Sequence, residues 1–269
     1  MDHGAPSGGM DRRAFLKLQS AALAGAGFGF VPTAPAGPVP REPRPNILFI
    51  HCDQLTMQAV SCYGNREVST PNIDRLARRG MRFEKSITPQ AVCCPARASW
   101  YTGLYPQEHG VIVNSAPIYP DVVDFGQWFF GRGYEAVHIG KWHVPSRWRG
   151  ESFLDLHDSN PRGEVSDHLC ALTWQGYLEG RDPHTPFLCD IGLMNPHDIG
   201  GLAKLLTFGT VDPGDLPEDL PELPPNFRYD VDGNEAGESF RRMREGNIHK
   251  QLVRDWTEEE WRYYIWMYY

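Results

Sequence analysis

Three short apolar runs, each stopping abruptly at a cluster of polar side chains, restrict this chain to an α/β architecture. Asn46-Ile47-Leu48-Phe49-Ile50-His51 stops at Cys52-Asp53-Gln54, and Tyr134-Glu135-Ala136-Val137-His138-Ile139 stops at Gly140-Lys141-Trp142-His143. The third run, Pro186 to Leu193, gives way to Met194-Asn195-Pro196-His197-Asp198. Nearly continuous apolar runs of this length read as strands of a parallel sheet, and the first as a central strand covered on both faces. Helical stretches separate them. Thr70 to Gly80 carries its own punctuation: Thr70 as N-cap, Pro71 at the first position, basic residues in the last turn and Gly80 as the stop. Ile73, Leu76 and Ala77 give that helix one apolar face. A second helix is expected from Asp124 to Arg132, ended by Gly133, and another opening near Pro95. Ligands of open α/β sheets bind outside the carboxyl ends of the strands. Asp53, Gln54, Lys141, His143 and His197 all follow strand runs at that end, so they are expected to converge.

Each of these positions has a chemical reading beside a bland one. Asp53 and Gln54 offer two adjacent oxygen donors on a strand-to-loop turn, which suits a hard divalent cation such as calcium; a loop-capping Asp beside a surface Gln is the other reading. Lys141 and His143 are two apart, so in extended backbone they share a side and can hold an anion and move a proton. Cys93 stands four residues before Arg97. A thiol beside a guanidinium is an electropositive setting that favours thiolate and a cysteine nucleophile. A helix opening here would also aim backbone N–H groups at an incoming anion. Asn114 by itself reads as a turn residue, and the Asn195-Pro196 loop before His197 can be purely structural.

The segment Cys93-Cys94-Pro95-Ala96-Arg97 has the form Cys-x-Pro-x-Arg and continues as Thr102-Gly103-Leu104-Tyr105-Pro106-Gln107-Glu108-His109-Gly110-Val111. It resembles the signature of type I, formylglycine-dependent sulfatases of the alkaline phosphatase-like superfamily. Thr70 to Gly80 and Gly140-Lys141-Trp142-His143 are also similar to that family. The resemblance implies an alkaline phosphatase-like α/β fold, with a mostly parallel central sheet flanked by helices. It implies that a formylglycine-generating enzyme oxidises Cys93 to formylglycine, whose hydrated aldehyde is the nucleophile. Calcium, or another divalent metal, would lie at Asp53, Gln54 and Cys93. Arg97 and Lys141 would balance the sulfuryl charge, while Asn114, Lys141 and His197 would contact the substrate. His197 would protonate the leaving alcohol and His143 would take the proton of the second hydroxyl. The substrate would be a small-molecule or carbohydrate sulfate ester. A phosphonate or phosphate monoester is the alternative within the superfamily, and an inactive binding protein the alternative outside it. The resemblance runs from residue 45 to 269 and corresponds to the N-terminal half of a sulfatase. On that reading residues 46–269 are a truncated catalytic domain. The remaining metal ligands, an Asp followed by His or Asn with a second lysine nearby, would lie past Tyr269, and sheet edges would stand unpaired.

Charge narrows the partners. A formal net charge of -8 argues against the broad, clustered positive surface that nucleic acid or an anionic membrane needs, so any anion site is expected to be local. The N-terminus reads as a targeting segment. Arg12-Arg13, followed by a weakly apolar Ala/Gly-rich run from Leu18 to Val31 and the small residues Ala34-Pro35-Ala36, reads as a twin-arginine signal peptide over 1–36. That run is too short and too rich in Gly and Ala for a stable membrane span. The expected route is the twin-arginine translocase, and the expected destination periplasmic or secreted. Residues 37–45 are Pro-rich and read as a linker. Cys52, Cys62, Cys93, Cys94, Cys170 and Cys189 form an even set that allows disulfides without requiring them. Cys52 and Cys189 read as buried strand thiols. Toward the C-terminus, Asp212 to Pro225 reads as a surface loop and Ser239 to Lys250 as a basic, solvated helix. Thr257 and Glu260 form a capping box for a last helix, whose Trp261, Tyr264, Ile265 and Tyr268 make an aromatic stripe expected in the core.

Overall fold

The computed structural model describes residues 44–159, 163–208, 217, 219–224, 227, 253 and 255–269. The signal-peptide reading, most of the linker, half of the Asp212 to Pro225 loop, and the Ser239 to Lys250 helix lie outside the described residues.

A four-stranded, all-parallel sheet carries the site. Its strands are β1 (Ile47–Asp53), β2 (Glu135–Gly140), β3 (Leu154–Asp158) and β4 (Phe187–Pro196), in the order β1-β4-β2-β3. Helices lie on both faces, as parallel strands require. The two interior strands pair on both sides and are the closed ones, β4 from Phe187 to Gly192 and β2 from Ala136 to Gly140. The alternation of the β4 side chains sorts the core into two layers. Leu188 faces the same way as Ala136 of β2, into a layer with Ala98, Tyr101 and Trp142. Phe187, Cys189 and Ile191 face the other way with Val137 and Ile139, against Cys170, Trp174 and Tyr177. The first layer is covered by α2 (Cys93–Thr102) and α4 (Phe125–Phe130), the second by α5 (Gly163–Gly180).

Five expectations are corrected. β1 is an edge strand among the described residues, not a central one, and Leu48 and Ile50 are 42% and 50% exposed. Its other face, with His51 and Asp53, is closed. Helix α1 (Pro71–Arg79) buries none of its residues, so its apolar face is open at Ile73 and Leu76. Its Thr70 stands at the N-cap but bonds the Asp74 carboxylate and Ser61 instead of a helix N–H. The last helix, α7 (Glu258–Tyr268), has the expected Thr257/Glu260 box, yet its aromatic stripe is half-buried, packed toward α6 (Ile199–Thr207). The helix expected near Pro95 opens two residues earlier, at Cys93.

The remaining elements fall close to their expected places. Asp124 caps α4 through the Gln127 N–H, and Gly133 follows with φ +76. The short α3 (Pro106–His109) ends at Gly110 with φ +87. β3 was not foreseen, because Leu154 to Asp158 alternates apolar and polar in only five residues. All six cysteines are free, and no helix of the described residues is long and apolar enough to cross a membrane.

Candidate active site

The carboxyl ends of β1, β2 and β4 and the first turn of α2 meet at one point. β1 delivers Asp53 after an irregularity between Cys52 and Asp53, which pairs Asp53 with Pro196 instead of the next residue in register. Such a bulge re-aims the side chain it carries. β2 ends at Gly140, φ +97, because a Cβ there would collide with the Gly192 carbonyl of β4. The chain then turns through Lys141, whose N–H donates to that same carbonyl at 2.7 Å. Gln54 and His143 take left-handed φ values of +68° and +56° just past the two strand ends. Non-glycine residues held in this region cost energy and collect at functional sites.

Arg97, on the inner face of α2, ties these pieces together. It is 1% exposed. Its Nη1 donates to the Lys141 carbonyl at 2.7 Å and its Nη2 to Asp53 Oδ2 at 3.4 Å. The Lys141 ammonium pairs with the same Asp53 oxygen and lies 3.6 Å from Met194 Sδ. Donor atoms of Asp53, Cys93 and His197 all lie within 4.8 Å of one another. Asn114 is at the head of α2, where its Oδ1 accepts the Cys94 N–H at 3.0 Å. Of the five residues expected to converge, Asp53, Lys141 and His197 do so by direct geometry, and Cys93 and Arg97 join them there. Gln54 is exposed, and its carbonyl accepts from the Tyr268 hydroxyl at 2.6 Å. His143 is exposed as well, close enough for Lys141, Arg97, Asp53 and His197 to act on its charge.

The electrostatics separate these groups into roles. Burial alone would raise the Asp53 carboxyl, but Lys141 and Arg97 outweigh it and hold the group below its ordinary value, ionised. Burial lowers His197, and Lys141 adds to the effect. Partial burial lowers His143, and Lys141 and Arg97 push it the same way. The Cys93 thiol is raised, which corrects the thiolate expected from its neighbours. Burial and the Asp53 carboxylate outweigh Lys141 and Arg97, so the unmodified thiol is a poor nucleophile at neutral pH.

A second set of polar residues went unremarked in the sequence. His51, His138, Asp190 and Tyr101 are all buried, between the sheet and α2. Asp190 is held well below the usual carboxylate range: burial opposes this, and hydrogen bonds from His138 and His51 overcome it. The available signal was an Asp and two His inside strand runs that are otherwise apolar, where an unpaired charge is not tolerated.

Residues 45–250 match the sulfatase family model. The chain belongs to the sulfatase family. It is 30% identical to the Delta 4,5-hexuronate-2-O-sulfatase of Bacteroides thetaiotaomicron, over 83% of this chain and 49% of that protein. Its fold matches the structure of a 2-O GAG sulfatase with a TM-score of 0.68 and 27% identity, again over 83% of this chain and 50% of the other. It also matches a phosphonate monoester hydrolase of Agrobacterium radiobacter, with a TM-score of 0.63 at 19% identity, a likeness of fold alone. The chain spans about half the length of these family members. With these neighbours the alkaline phosphatase-like α/β fold expected from the motif holds.

Proposed function

We propose that this chain carries the nucleophile and the sulfate-binding cations of a sulfuric ester hydrolase acting on a sulfated carbohydrate. The observation that supports it most is the convergence of Arg97 and Lys141 on the head of α2, where Cys93 stands beside Asp53 and His197. The carbohydrate class rests on the relatives that span most of this chain, which are named for 2-O-sulfated hexuronate and GAG substrates.

The residues present fit one side of a calcium site. The Asp53 carboxylate is buried and ionised, and an oxygen at position 93 would stand beside it; the exposed Gln54 would add its amide oxygen only by turning inward. Calcium takes about six to eight oxygen ligands, so these three would form part of a shell. When present, the metal supplies Lewis-acid polarisation, and formylglycine at position 93 supplies a hydroxyl nucleophile in place of the unreactive thiol. The chain's own side chains do the rest. Arg97 and Lys141 hold the sulfuryl oxygens and oppose the charge that builds on them, from positions fixed before substrate arrives. His197 would give a proton to the leaving alcohol oxygen as the S–O bond breaks. Burial and Lys141 lower its pKa, so it is neutral in the free site, and the charge of an incoming anionic ester favours its protonated form. His143, lowered in the same way, is neutral at physiological pH and able to accept a proton from a hydroxyl at position 93. Asn114 fixes the first turn of α2 through the Cys94 amide. Export through the twin-arginine translocase, to a periplasmic or secreted location, follows from Arg12-Arg13 and the run after it.

The test pairs two measurements on the protein isolated from cells that contain a formylglycine-generating enzyme. Mass analysis of the Cys93 peptide is expected to show one sulfur and two hydrogens replaced by one oxygen. Kinetics on a 2-O-sulfated uronate disaccharide, an aryl sulfate and an aryl phosphonate are expected to favour the sulfates. A clear preference for the phosphonate would move the protein to the other branch of the superfamily, and an unaltered Cys93 in an inactive protein would make it a binding protein.

A further inference from the structure

Donor and acceptor counting around Asp190 leaves a single consistent arrangement. His138 places Nδ1 2.7 Å from Asp190 Oδ2 and Nε2 3.0 Å from the Gly140 carbonyl. Both partners are acceptors, so both ring nitrogens donate. Tyr101 donates its hydroxyl to Asp190 Oδ2 at 2.9 Å. His51 Nδ1 is 3.4 Å from Arg97 Nη1, and a guanidinium has no acceptor, so Nδ1 must accept. The hydrogen of His51 is then on Nε2, which faces Asp190 Oδ1 at 3.1 Å. Asp190 therefore receives three hydrogen bonds, and reversing a partner sets acceptor against acceptor at His138 and Tyr101, or donor against donor between His51 and Arg97.

We infer that Asp190 is the positioning residue for both sulfate-binding cations, acting through two buried histidines. One arm runs from Asp190 through His51 to Arg97. The other runs from Asp190 through His138 to the Gly140 carbonyl, the peptide immediately before Lys141. The arms meet where Arg97 donates to the Lys141 carbonyl. The strand register builds this device: His138 lies directly across from Asp190 on β2, and His51 lies two residues past its partner Phe49 on β1. Asp190 and His138 are fully buried and His51 is 8% exposed, so water does not compete for these bonds. A histidine whose far nitrogen is held by a carboxylate has its tautomer and ring plane fixed, as in the outer shell of metal sites. Here the oriented group is a guanidinium. A catalytic group displaced by about 1 Å can lose about a hundredfold in rate.

The inference rests on the sulfatase reading, and its test separates the two. Asp190→Asn, His51→Leu and His51→Gln are made in the protein with Cys93 converted, and three quantities are read: kcat on the sulfate ester, the Kd of inorganic sulfate, and the melting temperature. Asp190→Asn turns an acceptor into a donor that faces other donors. His51→Leu cuts only the arm to Arg97, whereas His51→Gln can still accept from Arg97 and donate to Asp190. The expected result is about a hundredfold loss of kcat in Asp190→Asn and His51→Leu, with sulfate binding weakened about tenfold, and recovery to within about fivefold in His51→Gln. Imidazole nitrogen shifts in the unaltered protein should place the hydrogen of His51 on Nε2. If Asp190→Asn does not fold, the His51 pair decides alone, since it leaves Asp190 with His138 and Tyr101. A folded Asp190→Asn with unchanged kcat and sulfate affinity overturns the inference. So does a His51→Gln protein as impaired as His51→Leu. If the unaltered protein turns over no sulfate ester, the sulfatase reading falls and the sulfate affinities decide this one.

Discussion

Replacing Gly140 with alanine tests how tightly the strand ends are fitted around the site, and Gly103 provides its control. Both glycines have positive φ, +97° at Gly140 and +72° at Gly103. At Gly103 a Cβ meets nothing within 4 Å, so Gly103→Ala carries backbone strain alone, about 1–2 kcal/mol. At Gly140 the added carbon falls on the Gly192 carbonyl and lies 3.1 Å from Cys170 Sγ. Backbone cannot swing aside as a side chain does, so overpacking adds about 1–3 kcal/mol to the strain. For a domain of this size, about 1 kcal/mol moves the melting temperature by about 2–4 °C. Gly103→Ala should therefore melt about 2–8 °C below the parent, and Gly140→Ala about 4–20 °C below. Because the Lys141 N–H bonds that same Gly192 carbonyl at 2.7 Å, Gly140→Ala should also weaken inorganic sulfate binding, which Gly103→Ala should leave alone. The assays are differential scanning calorimetry and isothermal titration with sulfate. Equal losses in the two variants would refute the close approach of β2 to β4 on which the placement of Lys141 depends.

Asp53 and Asp190 both have folded pKa values below the unfolded carboxylate value of about 3.9, so their stabilisation is complete above that pH and is lost as pH falls toward the folded values. Urea midpoints between about pH 6 and pH 3 should fall, and the decline should be shallower in Asp190→Asn; a steeper decline would contradict the pairing. In protein made without the modifying enzyme, Cys93 should react with iodoacetamide at pH 7 more slowly than a free cysteine peptide, because its thiol is raised; faster alkylation would restore the thiolate reading. Changing Arg12 and Arg13 together to Lys should leave the protein in the cytoplasmic fraction while the parent is exported, and equal export of both would end the twin-arginine assignment.

The positions of Asp53, Lys141 and His197 were legible because a parallel strand leaves a sharp edge in sequence, an apolar run and then polar residues, and the fold gathers those edges. Cys93 and Arg97 were legible through their motif. The arrangement of the strands was not. β1 reads as central by composition, since Leu48 and Ile50 are as apolar as any core residue, and only the pairing shows that their face is open. The sign of the Cys93 shift was also hidden, because it depends on desolvation and on the Asp53 charge, neither of which is adjacent in sequence. The least legible feature is the set His51, His138 and Asp190, three polar residues inside otherwise apolar strand runs. Their meaning appears only when the register lines them up on one face beneath α2.

Among the described residues β1 pairs on one side only, which bears on how the site opens and closes over time. A strand paired on one side is held by half the ladder of an interior strand, and local opening begins where protection is least. Asp53 stands at the end of that strand, so the carboxylate paired with Lys141 and Arg97 has few backbone bonds to keep it still. Its bonds to Lys141 and Arg97 join β1 to β2 and α2 across the gap. Those two cations are therefore fasteners: the charges that would grip a sulfate also bear on how often the far end of β1 lets go.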